Sequence, residues 1–279
     1  MKKKIIKSYA KINLSLNVIG KDRNNFHKIQ SIISFLDLHD IIYIKQINKK
    51  KHIVKFSGIF SKNIRKDSIT QLLKILDQKK LLNKKFSIQV IKNIPQESGL
   101  GGGSMNAASV LKFLLKNKLI KLSKNEILNI SNRVGSDVFL GLDRKNLILV
   151  NNKKIKKFSL KLGLFLILIK PKIGCSTKEI YGHVKKYSKK KIKVSKKVFK
   201  IKELKKAHNY LEKPAFTIYP ILRKLKIFLT NIDEVEFVRM TGSGSTMVAY
   251  FSNRKSAING LNIVKKNFKN YWSILSKTI

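Results

Sequence analysis

A single cysteine, Cys175, stands in the whole chain, so no internal disulfide can form and stability must come from packing. That usage suits a reducing compartment, and the cytoplasm is the expected location. Acids are scarce too: eight Asp and seven Glu face 61 Lys and Arg, for a formal net charge of +46. Chemistry that needs a carboxylate therefore has few candidates. No apolar run reaches the roughly 20 residues of a membrane-spanning helix. The longest, residues 162–169, fits a buried strand. Residues 1–4 are basic, but strand-like alternation follows where a signal peptide would have an apolar core, so no leader is expected. No internal repeat is visible either, which argues against solenoids and propellers.

At 279 residues and 43% hydrophobic content, the chain has material for two ordinary domains, each with its own core. Its lysines are spread through every segment, whereas a nucleic-acid binder gathers them on one face or tail. Lysine, isoleucine and asparagine are abundant together, the pattern that an A+T-rich genome imposes on codon choice. Solvated surface lysines and no specific nucleic-acid partner are expected, with polyanion binding as the alternative.

The organising stretch is residues 94–108, IPQESGLGGGSMNAA. Before it, Phe86, Ile88 and Val90 alternate with Ser87 and Gln89, as in a strand. After it, Ala107, Val110, Leu111, Leu114 and Leu115 share one face of a helix. Strand, glycine turn and helix in that order suit a phosphate. Gly99, Gly101, Gly102 and Gly103 let a ligand reach the backbone, and the helix offers unpaired N–H groups at the positive end of its dipole. A ligand-free turn is the plainer alternative. A Walker loop is excluded, because Gly103-Ser104-Met105 lacks its lysine. A dinucleotide fingerprint is excluded because Ser104 takes the place of its third glycine. The only acid about twenty positions on is Glu126, which belongs to the next helix.

Residues 5–19 read as a strand in which Ile12, Leu14, Leu16 and Val18 alternate with Lys11, Asn13, Ser15 and Asn17. Lys11 and Asn13 thus lie side by side on the polar face, where an exposed lysine is the ordinary reading. A turn at 20–25 leads to Phe26 and His27, which suit either a base-holding pair or a core Phe with a surface His. Further strands are expected at 29–38 and within 40–56, and a short helix at 67–76. Ser123 and Glu126 make a capping box that opens a helix ended by Gly135. Asp137 comes next, before an apolar stretch, so partial burial is expected; helix capping and catalysis are both open to it.

The second half reads as strands at 147–150 and 162–170, a loop at 171–177 into a helix, and exposed, lysine-rich helix and connector over 187–206. Helices follow at 208–212 and 220–228, then a strand at 234–240. The charge-poor turn Thr241-Gly242-Ser243-Gly244-Ser245 leads into a strand or helix start at 247–251. That turn is either a plain hairpin or a second loop beside the phosphate site.

Ala10-Lys11-Ile12-Asn13, the central Pro95-x-x-x-Gly99-Leu100-Gly101-Gly102-Gly103-Ser104 and the late Thr241–Ser245 turn resemble, in order and spacing, the three motifs of the GHMP small-molecule kinases. The similarity spans nearly the whole chain. It is strongest to members that use ATP and Mg2+ to phosphorylate the 2-hydroxyl of a cytidine-diphosphate-linked methylerythritol in non-mevalonate isoprenoid synthesis. The resemblance implies an α+β, two-domain fold. A ribosomal-S5-like, ATP-binding domain would cover residues 1–158 and a ferredoxin-like domain residues 159–279. A monomer or homodimer with no membrane contact and no protein-built metal site is expected.

By position, Lys11 and Asp137 match the family's catalytic lysine and aspartate. Pro95, Gln96, Glu97, Ser98, Gly99, Leu100, Gly101, Gly102, Gly103 and Ser104 match its ATP loop, and Lys92 lies where the strand approaches the adenine. Phe26 and His27 match the positions that hold the cytosine, Phe26 where members often carry Tyr. Asn13, Asp137, Thr177, Thr241 and Gly242 match the substrate side. Glu97 and Ser98 depart from the usual glycines, Met105 from a small residue, and Asp67-Ser68 from Asp-Asn. The rivals are a GHMP kinase for mevalonate, homoserine or a sugar, a basic RNA-binding protein, and an inactive remnant. Phe26-His27 favours a cytidine substrate. The joint presence of Lys11, Asp137 and the loop disfavours RNA binding.

Overall fold

Residues 2–62, 64, 67–152 and 154–279 are described by the computed structural model of the chain. The chain folds as two units. Met1–Lys11, Leu38–Gln96 and Gly101–Arg144 make the first; Ile12–Asp37, Glu97–Leu100 and Lys145–Ile279 make the second. Two long paired strands, β1 (Lys4–Lys21) and β2 (His27–Ile47), contribute to both.

In the first unit, β3 (Ile53–Ser57) pairs parallel with β4 (Lys85–Ile91), and β4 pairs antiparallel with residues 41–47 of β2. Parallel neighbours need a crossover. Here it carries α1 (Ser68–Gln78), whose N-cap Asp67 accepts from the N–H groups of Ile69 and Thr70. Helix α2 (Gly102–Lys116) leaves the glycine loop. Helix α3 (Lys124–Val134) opens on the expected capping box between Ser123 and Glu126, and a 3-10 turn follows at Phe139–Leu142. The core forms where period two on the strands meets period 3.6 on the helices. Ile42, Ile44, Phe86, Ile88 and Val90 pack with Ile69, Leu72, Leu76, Ala107, Val110, Leu111 and Leu114.

In the second unit, residues 31–33 of β2 pair with β5 (Asn146–Asn151), which forms a hairpin with β6 (Lys154–Phe158). A four-stranded antiparallel sheet is built from β7 (Phe165–Lys170), β8 (Phe237–Met240), β9 (Met247–Phe251) and β10 (Trp272–Lys277), in the order β10-β7-β9-β8. Five helices accompany it: α4 (Thr177–Gly182), α5 (Ile201–Lys206), α6 (Glu212–Ile218), α7 (Pro220–Thr230) and α8 (Arg254–Asn267). Leu222, Leu225, Leu229, Ala257 and Val264 cover Ile167, Ile169, Val238, Ala249 and Phe251. Gly260 lets α8 come close to the sheet: a Cβ there would stand 2.9 Å from Ile167 Cδ1.

One expectation is corrected here. The helix expected at 208–212 is a strand-like bridge, because its backbone pairs with β1. The Leu16 N–H donates to the His208 carbonyl at 2.9 Å and the Tyr210 N–H to the Leu16 carbonyl at 2.8 Å, so α6 starts only at Glu212. The lysine-rich stretch is connector and helix as expected, helical at Lys196–Phe199 and Ile201–Lys206. Among the described residues, no helix is long and apolar enough to cross a membrane. The fold is α+β, with two sheets.

Candidate active site

Between β4 and α2 the backbone turns left-handed three times, at Glu97, Gly99 and Gly101, with φ of 48°, 73° and 73°. Gly99 is doubly constrained, since a Cβ there would also lie 2.0 Å from the Thr241 carbonyl oxygen. Gly101 is the N-cap of α2 and provides no side-chain cap, so the N–H groups of the first turn are offered to a ligand. The loop is anchored by Gln96, whose Nε2 donates to the carbonyls of Phe60 at 3.2 Å and Lys62 at 2.7 Å. Pro95, Ser98 and Leu100 are buried within it. Lys92 is buried too, with its ammonium ion-paired to the buried Asp40. Met105 is accommodated by Gly141: a Cβ on that glycine would stand 2.8 Å from the methionine sulfur.

Strand β1 is buried on both faces, so Lys11 is only 4% exposed and is not the ordinary surface lysine its alternation allowed. A buried ammonium needs a partner. Lys11 Nζ lies 3.1 Å from Asp137 Oδ2, and the aspartate side chain keeps 30% of its surface open. Asp137 does not cap a helix: the N-cap of the following 3-10 turn is Val138, with no side-chain bond. The Lys11 methylenes lie against Gly101, where a Cβ would come within 3.0 Å of Cγ. At Gly135, a Cβ would come within 3.2 Å of Ser104 Oγ. One neighbourhood of the first unit therefore holds a part-exposed carboxylate, an ammonium and an uncapped helix N-terminus. These can orient and deprotonate a hydroxyl, neutralise developing charge and hold an anion.

In the second unit, the Asn13 N–H donates to Thr241 Oγ1 at 3.0 Å and its Nδ2 to Ser31 Oγ at 2.8 Å. Thr241 Oγ1 donates onward to the Gly99 carbonyl at 3.2 Å. The N–H groups of Ser245 and Thr246 reach the carbonyls of Glu97 and Ser98 at 3.4 and 3.3 Å. The late glycine turn is thus a hairpin between β8 and β9 that also packs on residues 97–99. Asn209 holds the start of that turn, its Nδ2 bridging the carbonyls of Met240 and Gly242 at 2.8 Å each. Thr177 and Ser243 join hydroxyls at 2.9 Å. The Glu97 carboxylate lies against Gly174, where a Cβ would be 2.0 Å from Oε2.

The His27 ring lies 5.0 Å from that of Tyr181 and 6.4 Å from that of Tyr187, while Phe26 is 69% exposed and belongs to no core. Burial, and then the charge of Lys21, lower the His27 pKa and favour the neutral imidazole. Burial pushes the Cys175 thiol up to about 11, which leaves it protonated and a poor nucleophile. Asp40, Asn106, Asn209, Tyr181 and Tyr187 escaped the sequence reading. Their partners lie far away in the chain, and no local pattern marks them.

The family pattern of the GHMP kinases N terminal domain matches residues 67–143, and that of the GHMP kinases C terminal domain matches residues 199–270. The chain is similar to a 4-diphosphocytidyl-2-C-methyl-D-erythritol kinase of Pelagibacter ubique, at 52% identity over 98% of each chain. A protein of the same description from Caldicellulosiruptor saccharolyticus is 30% identical, covering 94% of this chain and 92% of its own. Among solved structures, a 4-(cytidine 5'-diphospho)-2C-methyl-D-erythritol kinase shares the fold with a TM-score of 0.79 at 20% identity, over 98% of this chain and 99% of that one.

Proposed function

The chain belongs to the GHMP kinase family, in its 4-diphosphocytidyl-2-C-methyl-D-erythritol kinase branch, and we propose that it phosphorylates that substrate with ATP. The γ-phosphoryl group passes to the 2-hydroxyl and ADP leaves. The observation that carries this reading is the Lys11–Asp137 pair beside the uncapped start of α2.

Asp137 accepts or directs the hydroxyl proton as that oxygen attacks the γ-phosphorus. Lys11 places its positive charge where negative charge gathers on the attacking oxygen and the γ-phosphate. The N–H groups of Gly102, Gly103 and Ser104 hold phosphate oxygens, and the glycines let the nucleotide approach them. Exposed Phe26 stacks on the cytosine. The neutral imidazole of His27, with one donor and one acceptor nitrogen, suits the base edge. Asn13, Thr177, Thr241 and Gly242 belong to the substrate side.

Among the described residues no three His, Cys, Asp or Glu side chains gather to cage a metal. Ser104, half-buried in the first turn of α2, would be the residue to help hold a Mg2+ arriving with the nucleotide. When bound, such an ion would supply charge neutralisation for the phosphates. Residues 1–158 would form the ATP-binding domain and 159–279 the C-terminal domain of a cytoplasmic enzyme. The two family matches fall one in each part, while the compact units interleave along the chain, with Ile12–Asp37 and Glu97–Leu100 in the second.

The test is ATP turnover by the purified protein with 4-diphosphocytidyl-methylerythritol, mevalonate and homoserine in parallel, and Asp137→Asn as control. Turnover confined to the cytidylyl substrate and lost in the variant is expected. A folded protein that turns over none of the three would end the kinase reading.

A further inference from the structure

We infer that Asp40 is a positioning residue for nucleotide binding, a buried carboxylate that fixes both ends of the phosphate loop from strand β2. This inference rests on the kinase reading above. Asp40 is fully buried, and all its recorded partners border the loop. Oδ1 accepts the N–H groups of Asn93 at 2.7 Å and Ile94 at 2.9 Å, where the chain leaves β4. Oδ2 accepts from Nδ2 of Asn106, in the second turn of α2, at 3.0 Å, and from the ammonium of Lys92. Asn93 adds a second tie to the same strand, its Nδ2 donating to the His39 carbonyl at 3.0 Å.

The physical need is plain. Gly99, Gly101, Gly102 and Gly103 give the loop a large conformational entropy, and a phosphate binds tightly only to N–H groups already aimed at it. One carboxylate that bonds the chain before the loop and the helix after it removes much of that freedom in advance. The lysine compensates the buried charge, and four donors satisfy the two oxygens. The close fit continues at Gly102, where a Cβ would stand 3.0 Å from Ile94 Cγ2 and 3.3 Å from Lys92 Nζ.

Asn106 offers a clean test, because its Oδ1 is buried and accepts no hydrogen bond among the described residues. In Asn106→Leu, Asp40 keeps its lysine and both backbone donors while the tie to α2 is cut. The thermal midpoint should hold or rise. Backbone hydrogen exchange over residues 96–104 of the ligand-free protein should speed up about tenfold, and the dissociation constant for ATP should weaken about tenfold, as loss of a charged hydrogen bond allows. KM for the cytidylyl substrate and kcat at saturating ATP should stay within about twofold, a split that general destabilisation would not produce. Asp40→Asn should show the same loop effect, more strongly. Exchange over 96–104 at the wild-type rate in folded Asn106→Leu overturns the inference, whether or not Asp40→Asn folds. If the wild type binds no ATP, the kinase reading fails, and the exchange comparison still decides the role of Asp40.

Discussion

Single residues carry the chemistry, and their surroundings decide what each can do. Lys11 alternates with apolar neighbours like any surface lysine, yet burial on both faces of β1 leaves its ammonium facing Asp137. Asp137→Asn keeps the shape and removes the carboxylate that the proposed reaction uses. It should lower kcat by about a thousandfold, the usual range for a positioned proton acceptor, with KM for ATP nearly unchanged in steady-state assays. His27 sets a pH dependence of its own. Its folded pKa lies below the ordinary 6.5, so the ring is neutral more of the time than a free imidazole and its midpoint falls in more acid solution. KM for the cytidylyl substrate should therefore climb on acidification with a midpoint below 6.5. A midpoint above pH 7 would show that the imidazole does not meet the base in neutral form.

At the scale of elements, caps and ties position the site more than helix propensity does. Helix α3 delivers the turn that carries Asp137, and its N-terminus is closed by the Ser123–Glu126 box. Ser123→Ala should cost about 1 kcal/mol, seen as a fall of a few degrees at most in the melting temperature, with kcat intact. A large fall in kcat would mean that α3 positions Asp137 more tightly than its end bonds suggest. Arg239 is a comparable tie in the second unit. Its buried guanidinium donates to the carbonyls of Leu14 on β1 and of Leu204 and Ala207 at the end of α5, holding the strand that leads to Thr241. Burial lowers its pKa, but the group remains a cation across the working range.

The whole molecule carries a formal charge of +46, and self-repulsion on that scale opposes a compact state. Salt shortens the reach of charge from about 10 Å at 0.1 M to about 3 Å at 1 M. The melting temperature should accordingly rise as sodium chloride is added, measured by calorimetry at neutral pH. Over the same range kcat/KM for ATP should fall gently, because a lysine-rich surface draws anions in without binding any one of them. A steep power-law loss of bound RNA over that range would bring a polyanion role forward.

The family's motifs, their order, most strands and helices α1, α2, α3 and α7 follow from local patterns: alternation, helical spacing, glycine turns and one capping box are properties of neighbouring residues. So does the phosphate-holding chemistry expected of the glycine loop, whereas the roles expected of Lys11 and Asp137 come from the resemblance to the GHMP kinases. The sequence reading includes neither α8 nor β10. Local pattern says which face of an element is apolar, but not what covers the other face. It could not bury Lys11, pair Lys92 with an aspartate 52 positions away, or set Asn209 under the Thr241 turn. It misjudged residues 208–212, whose backbone bonds were claimed by β1 from the other end of the chain. Hydrogen bonds and ion pairs between distant segments exist only once the chain has closed on itself, and at this site they decide which polar groups are held and which stay open.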